Sequence, residues 1–198
     1  MKYFLKHLLI ASLLIGFASC GGDDDNDDII NNQPKPTLPD IAPLSINIML
    51  VDRADNNLLS FDTTGNWMDT DISAIYNGLT YTLDWNTAQQ QSLGRAAATF
   101  KGLHLKHMQV EHGGGSIALT NQFYLAFGEF SPYDDMTVNM TLKIAENNSQ
   151  YQIRMNHTYS YNDVTASVDE TTEIILNGEP IDYSSGYIKL VMPTRITE

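Results

Sequence analysis

The residues able to do chemistry are few and scattered. Cys20 is the sole cysteine, so no disulfide closes within one chain, and its sulfur is the only thiol nucleophile. His104, His107 and His112 crowd one stretch. On an extended strand, however, residues 104 and 107 point to opposite faces, and 104 and 112 lie too far apart to share an ion. Acidic side chains gather in three places: Asp52, Asp55, Asn56 and Asn57; Asp62, Asp69 and Asp71; and Asp134 with Asp135. Calcium takes six to eight oxygen ligands, but none of these groups has the alternating acidic spacing and distant Glu of a calcium loop. Solvated turns explain them better, and no metal ligand is assigned. Gly115-Ser116-Ile117 lacks the flanking glycines of a nucleophile elbow. No pair of carboxylates is singled out by spacing for glycoside cleavage. No catalytic residue is assigned.

Aromatic side chains offer a different chemistry. Trp67, Trp85, Tyr76, Tyr81 and Tyr133 could stack on sugar rings if exposed. Trp67 lies in the polar stretch Gly65-Asn66-Trp67-Met68-Asp69 and is the candidate ligand contact. Trp85 directly follows a strand and is expected to plug the edge of the core.

The elements that must position these groups read as β throughout. In Met136 to Ile144, Met136, Val138, Met140, Leu142 and Ile144 share one face, and Thr137, Asn139, Thr141 and Lys143 the other. After a turn at Ala145 to Ser149, Tyr151 to Tyr161 returns with Tyr151, Ile153, Met155, His157, Tyr159 and Tyr161 on one face. That is an antiparallel hairpin with one side buried. Ser45 to Asp52 opens the domain, and a turn at Arg53 to Asn57 follows it. Ile72 to Tyr76 and Leu79 to Asp84 flank Asn77-Gly78, a strong hairpin signal. Thr99 to Glu111 and Ile117 to Phe130 flank Gly113-Gly114-Gly115. Glu173 to Leu176 leads to Asn177-Gly178, and Tyr187 to Met192 is the final strand. Only Thr87 to Ala98 has room for a helical turn. Short strands punctuated by turns predict an all-β, antiparallel β-sandwich or barrel-like sandwich over 44–198.

The first forty-odd residues belong to a different regime. Lys2 and Lys6 precede the apolar run Leu8 to Phe17, and the small residues Ala18 and Ser19 precede Cys20. A basic start, a short apolar run and a small-residue cut site predict a secretory signal over 1–19. The run is about ten residues, half of what a spanning helix needs. Gly21-Gly22 and the acidic run Asp23, Asp24, Asp25, Asn26, Asp27, Asp28 follow. Asn31, Asn32, Pro34, Pro36, Pro39 and Pro43 then disfavour helix and central strand, so 20–43 is read as a disordered tether. The formal charge of −13 argues against nucleic acid as a partner and against lying flat on an anionic bilayer.

Phe17-Ala18-Ser19-Cys20 resembles the bacterial lipobox, with Phe17 where Leu is usual. The resemblance implies cleavage before Cys20 and a covalent lipid on its sulfur, with no other cofactor. Asp23, Asp24, Asp25, Asp27 and Asp28 resemble the acidic export signal of Bacteroidetes-type surface-exposed lipoproteins. That implies a lipid-anchored chain on the outer membrane, facing outside. Ile48 to Leu59, Ile75 to Leu83 and the Asn177-Gly178 turn resemble uncharacterised lipoproteins of that type, which implies an immunoglobulin-like sandwich and supplies no site residues. The function expected is a non-enzymatic binding or structural module with a glycan or protein partner. A glycan-binding accessory of an uptake system ranks second and a hydrolase third.

Overall fold

The computed structural model describes residues 42–83, 85, 98, 100–112, 116–165, 167–193 and 195, with the backbone alone at 111, 112, 116 and 117. Cys20, the acidic run and the tether up to 41 lie outside the described residues, as does the expected helical turn apart from Ala98.

Ten strands occur, and no helix is present among the described residues. They are β1 (Leu44–Val51), β2 (Ile72–Tyr76), β3 (Leu79–Thr82), β4 (Leu103–His112), β5 (Ser116–Phe130), β6 (Met136–Ile144), β7 (Ser149–Asn162), β8 (Ser167–Leu176), β9 (Glu179–Ile181) and β10 (Ile188–Val191). They build two sheets, ordered β10-β1-β5-β4 and β3-β2-β6-β7-β8-β9. The expected β-sandwich is present, and neither sheet closes into a barrel.

The β6–β7 hairpin pairs in the register its alternation demands, with Val138 opposite Met155 and Leu142 opposite Tyr151. Val138, Met140, Leu142, Ile144, Ile153 and Met155 are buried, and Thr137, Asn139, Gln152 and Arg154 are exposed. The buried set joins Ile46, Ile48, Leu50, Leu105, Leu125, Phe127, Ile188 and Leu190 of the other sheet in one apolar cluster. His157 also falls on the buried face. Its ring is satisfied there, with Nε2 donating to the Pro132 carbonyl at 3.0 Å and Nδ1 3.0 Å from Thr172 Oγ1.

The four-stranded sheet departs from a simple antiparallel reading in two ways. β1 pairs with β10 in parallel, from Ile48 opposite Ile188 to Val51 opposite Val191. The entire six-stranded sheet is threaded between these two partners. In addition, β1 leaves β5 after Ile48, and residues 57–60 wedge into the gap. Leu58 N–H donates to the Leu50 carbonyl at 2.8 Å, and Phe123 N–H donates to Leu59 at 2.7 Å. This wedge carries Leu58 and Leu59 into the core. β5 accommodates it with a bulge at 120–122, and a second shift opposite Ser45 places Gly128 at φ 77°. A side chain on Gly128 would collide with the Phe130 ring, so only glycine fits.

Candidate functional site

Trp67 does not present a face to solvent. It is 2% exposed and belongs to the central apolar cluster. Its backbone N–H donates to the Leu58 carbonyl at 2.9 Å, which ties the loop to the wedge and turns the indole inward. The polar neighbours that suggested exposure serve elsewhere. Asn66 supplies its side-chain oxygen to Met68 N–H at 3.2 Å, and its backbone carbonyl accepts from Arg195 Nη1 at 2.8 Å. Arg195 also reaches Asp69 Oδ1 and Glu146 Oε1, each at 2.6 Å, clamping this loop to the β6–β7 turn. Trp85 packs against the core edge, as its position beside a strand implied.

The other aromatic candidates are also committed to packing. Tyr76 and Tyr81 lie against Phe100 and Phe127 at centroid distances of 5.2–5.9 Å, and Tyr133 meets Tyr159 edge-on at 5.4 Å. His104 and His107 take opposite faces of β4: His107 stacks on the buried Phe123, while His104 sits opposite Ala126. Burial outweighs a hydrogen bond with the Lys101 backbone and, helped by the nearby charge of Lys106, holds His104 below the ordinary histidine pKa. No group of three metal-binding side chains occurs among the described residues.

The acidic groups are mostly turn hardware. Asp52 Oδ1 accepts from the backbone N–H groups of Ala54 (2.8 Å) and Asn56 (2.9 Å), and Oδ2 accepts from the Asn56 amide at 2.8 Å. The Asn56 hydrogen bonds hold the Asp52 carboxyl below its usual pKa. Asp55 pairs with Lys189 at 2.6 Å, and Asp135 accepts from Tyr159 N–H at 2.8 Å.

What remains open is the outer face of the six-stranded sheet. Cross-strand pairing arranges it in rows: Thr82, Ser73, Lys143 and Gln150; then Thr80, Ile75, Thr141 and Gln152; then Asn139, Arg154 and Ile175; then Thr137, Asn156 and Glu173. Hydroxyls and amides dominate these rows, on a chain with a net charge of −13. Asn156 is a hub: its Oδ1 accepts from Arg154 Nε (2.9 Å) and Thr137 Oγ1 (3.2 Å), and its Nδ2 donates to Glu173 at 2.9 Å. Two shallow depressions mark the face. One, of about 470 Å³, is lined by Asp71, Ser73, Thr80, Thr82, Lys143 and Gln150. The other, of about 380 Å³, is lined by Asn139, Thr141, Gln152, Arg154 and Ile175.

Comparison with protein families, with curated proteins and with solved structures returns no match.

The site therefore rests on geometry alone. The face offers donors and acceptors in fixed rows at about 4.8 Å between strands and about 6.7 Å along them. Such an array suits a polar ligand held by many hydrogen bonds. Sequence reasoning identified the outward residues of β6 as a solvent face but did not single them out as a site. The signal that distinguishes them is the replacement of the usual Lys and Glu by Thr, Asn and Gln.

Proposed function

We propose that this chain is a lipid-anchored outer-membrane lipoprotein whose β-sandwich is a non-enzymatic binding module. Cys20 carries the lipid, Asp23, Asp24, Asp25, Asp27 and Asp28 direct the chain to the outside, and residues 20–43 are the tether. The outer face of the six-stranded sheet is the binding surface, and its partner is a glycan or protein rather than nucleic acid. The observation that carries the binding reading is the hydroxyl- and amide-rich face, exposed across adjacent strands and indented twice. An ordinary solvent face of an antiparallel sheet is polar, but it needs no side-chain network to stay soluble. A lipid anchor of two or more acyl chains would hold the module stably at the surface, where a single chain would not.

The test uses intact cells expressing the whole chain. Wild type should take a lipid label and be cleaved by added protease, whereas Cys20→Ala should lose the label and the membrane fraction. A diazirine side chain placed at Gln152 should give a defined higher-mass adduct on irradiation. The same group at Asp163, on the β7–β8 turn, should not. Equal labelling of the Cys20→Ala chain would overturn the anchor, and adducts no stronger at 152 than at 163 would overturn the binding face.

A further inference from the structure

A second surface, on the other sheet, has a different chemistry. Phe61 is 67% exposed, on the loop that follows the wedge. The wedge sets its position: Ser60 bridges Gln122 across the β5 bulge, so Phe61 follows immediately beside Asn121 and Phe123. The Phe61 ring meets the buried Phe123 ring at 90° with a centroid distance of 5.7 Å, so it is held against a rigid partner rather than swinging freely. Beside it, Asn121 Nδ2 donates to Asp62 Oδ2 at 3.4 Å, and both residues are exposed. The corner thus combines a fixed, exposed ring with a hydrogen-bonding amide–carboxylate pair.

We infer that this corner is a carbohydrate site that takes a neutral pyranose ring, with Phe61 as the stacking platform and Asp62 and Asn121 binding its hydroxyls. A pyranose has an apolar face of C–H groups and a rim of hydroxyls, which matches a ring with a polar pair at its edge. The charge selects the class of sugar. Asp62 is a carboxylate on a strongly acidic chain, so uronic or sulfated sugars are repelled. A protein partner would need about 800 Å² on this side, more than one exposed ring supplies. An anionic bilayer is disfavoured by the same carboxylate. The inference does not rest on the binding role given to the six-stranded sheet.

The experiment uses the whole chain, purified in a non-glycosidic detergent, and titrates it calorimetrically with cellohexaose, maltohexaose, mannohexaose and hexagalacturonate. At least one neutral hexasaccharide should bind below about 5 mM, at the weak end of specific affinity. Phe61→Ala should weaken that binding about tenfold or more, the loss of a single stacking contact. Phe61→Trp should retain it, and Asp62→Ala and Asn121→Ala should each weaken it. Asp163→Ala, on the β7–β8 turn, should not affect it. Failure of every neutral sugar, tighter binding of hexagalacturonate, or loss with Asp163→Ala but not Phe61→Ala would each overturn the inference. Should Phe61→Ala fail to fold, as judged by its melting curve, unchanged binding in both Asp62→Ala and Asn121→Ala overturns it equally.

Discussion

Trp67 decides between two pictures of this domain, a displayed aromatic platform and a plugged core, and the two differ by several kcal/mol. With 2% of its surface exposed, the side chain contributes nearly all of its apolar area to the interior. Truncating a buried Trp to Ala typically costs about 3–5 kcal/mol, from lost transfer energy and the cavity left behind. At about 2–4 °C per kcal/mol for a domain of this size, Trp67→Ala should lower Tm by roughly 6–20 °C. An exposed platform would give a change within about 0.5 kcal/mol. Trp67→Phe sharpens the argument. Trp67 Nε1 is buried and has no hydrogen-bond partner among the described residues, and an unsatisfied buried donor costs about 1–3 kcal/mol. Phe removes that donor while keeping most of the ring, so the two effects oppose and the net change should stay within about 1.5 kcal/mol. Thermal melts followed by circular dichroism measure both. Fluorescence gives an independent check, because the chain has only two tryptophans. In a Trp85→Phe background the remaining emission is that of Trp67 and should resist iodide quenching. A Trp67→Ala melt within about 2 °C of wild type, together with emission quenched as readily as in the unfolded chain, would refute the burial argument.

Leu142 is fully buried between Ala74 and Tyr151, while the adjacent Thr141 faces outward between Ile75 and Gln152. Leu142→Ala should cost about 2–5 kcal/mol in denaturant titration and Thr141→Ala about 0.5 or less; equal losses would mean the register is wrong. At high pH the sensitive group is Tyr183, whose phenol packs against the core and contacts the Ser45 carbonyl and Asn47 N–H, each at 3.4 Å. Burial raises its pKa above the ordinary tyrosine value, so its contribution is fully present below about pH 10 and is lost as pH rises through the folded-state pKa. Melting temperatures measured from pH 8 to 11 should fall less steeply for Tyr183→Phe than for wild type, and parallel declines would exclude this group.

The parts of the fold legible in the sequence are those where one side of a strand meets water and the other does not. β6 and β7 alternate because each residue is sorted by that boundary, so register and burial could both be read. The Asn77-Gly78 and Asn177-Gly178 turns were legible because both positions of each turn need positive φ, here 49° and 77°, then 52° and 91°. The first half of β8, Ser167 to Thr172, was not legible. It is mostly exposed, so no apolar period marks it, and it is held by backbone pairing to β7. The parallel β1–β10 pair joins residues 140 apart, beyond any local pattern. Trp67 and Phe61 were misjudged or missed for one reason. In loops, exposure is set by which backbone groups are captured, not by the polarity of neighbours. Trp67 is drawn in by Leu58, while Phe61 is left out one residue after the Ser60 bridge.

The same distribution of hydrogen bonds bears on binding against hydrolysis. A general acid in a hydrolase needs a carboxyl whose pKa is pushed up toward neutrality, usually by burial or by a second carboxylate. Asp52, Asp69 and Asp182 are all displaced the other way, by Asn56, Arg195 and Ser184 respectively. Each stabilises its charged form by holding a turn or a latch, and a carboxylate so held is a poor proton donor. Glu146 is bound by Arg195 and Thr70, and Asp135 by the Tyr159 backbone. Most of these loop carboxylates thus hold a turn or a latch in place. The outward rows of the six-stranded sheet carry mostly hydroxyls and amides, with Lys143, Arg154 and Glu173 among them. Under the binding role proposed above, such groups would meet a ligand through hydrogen bonds, and a rigid frame around them lowers the ordering cost of each contact.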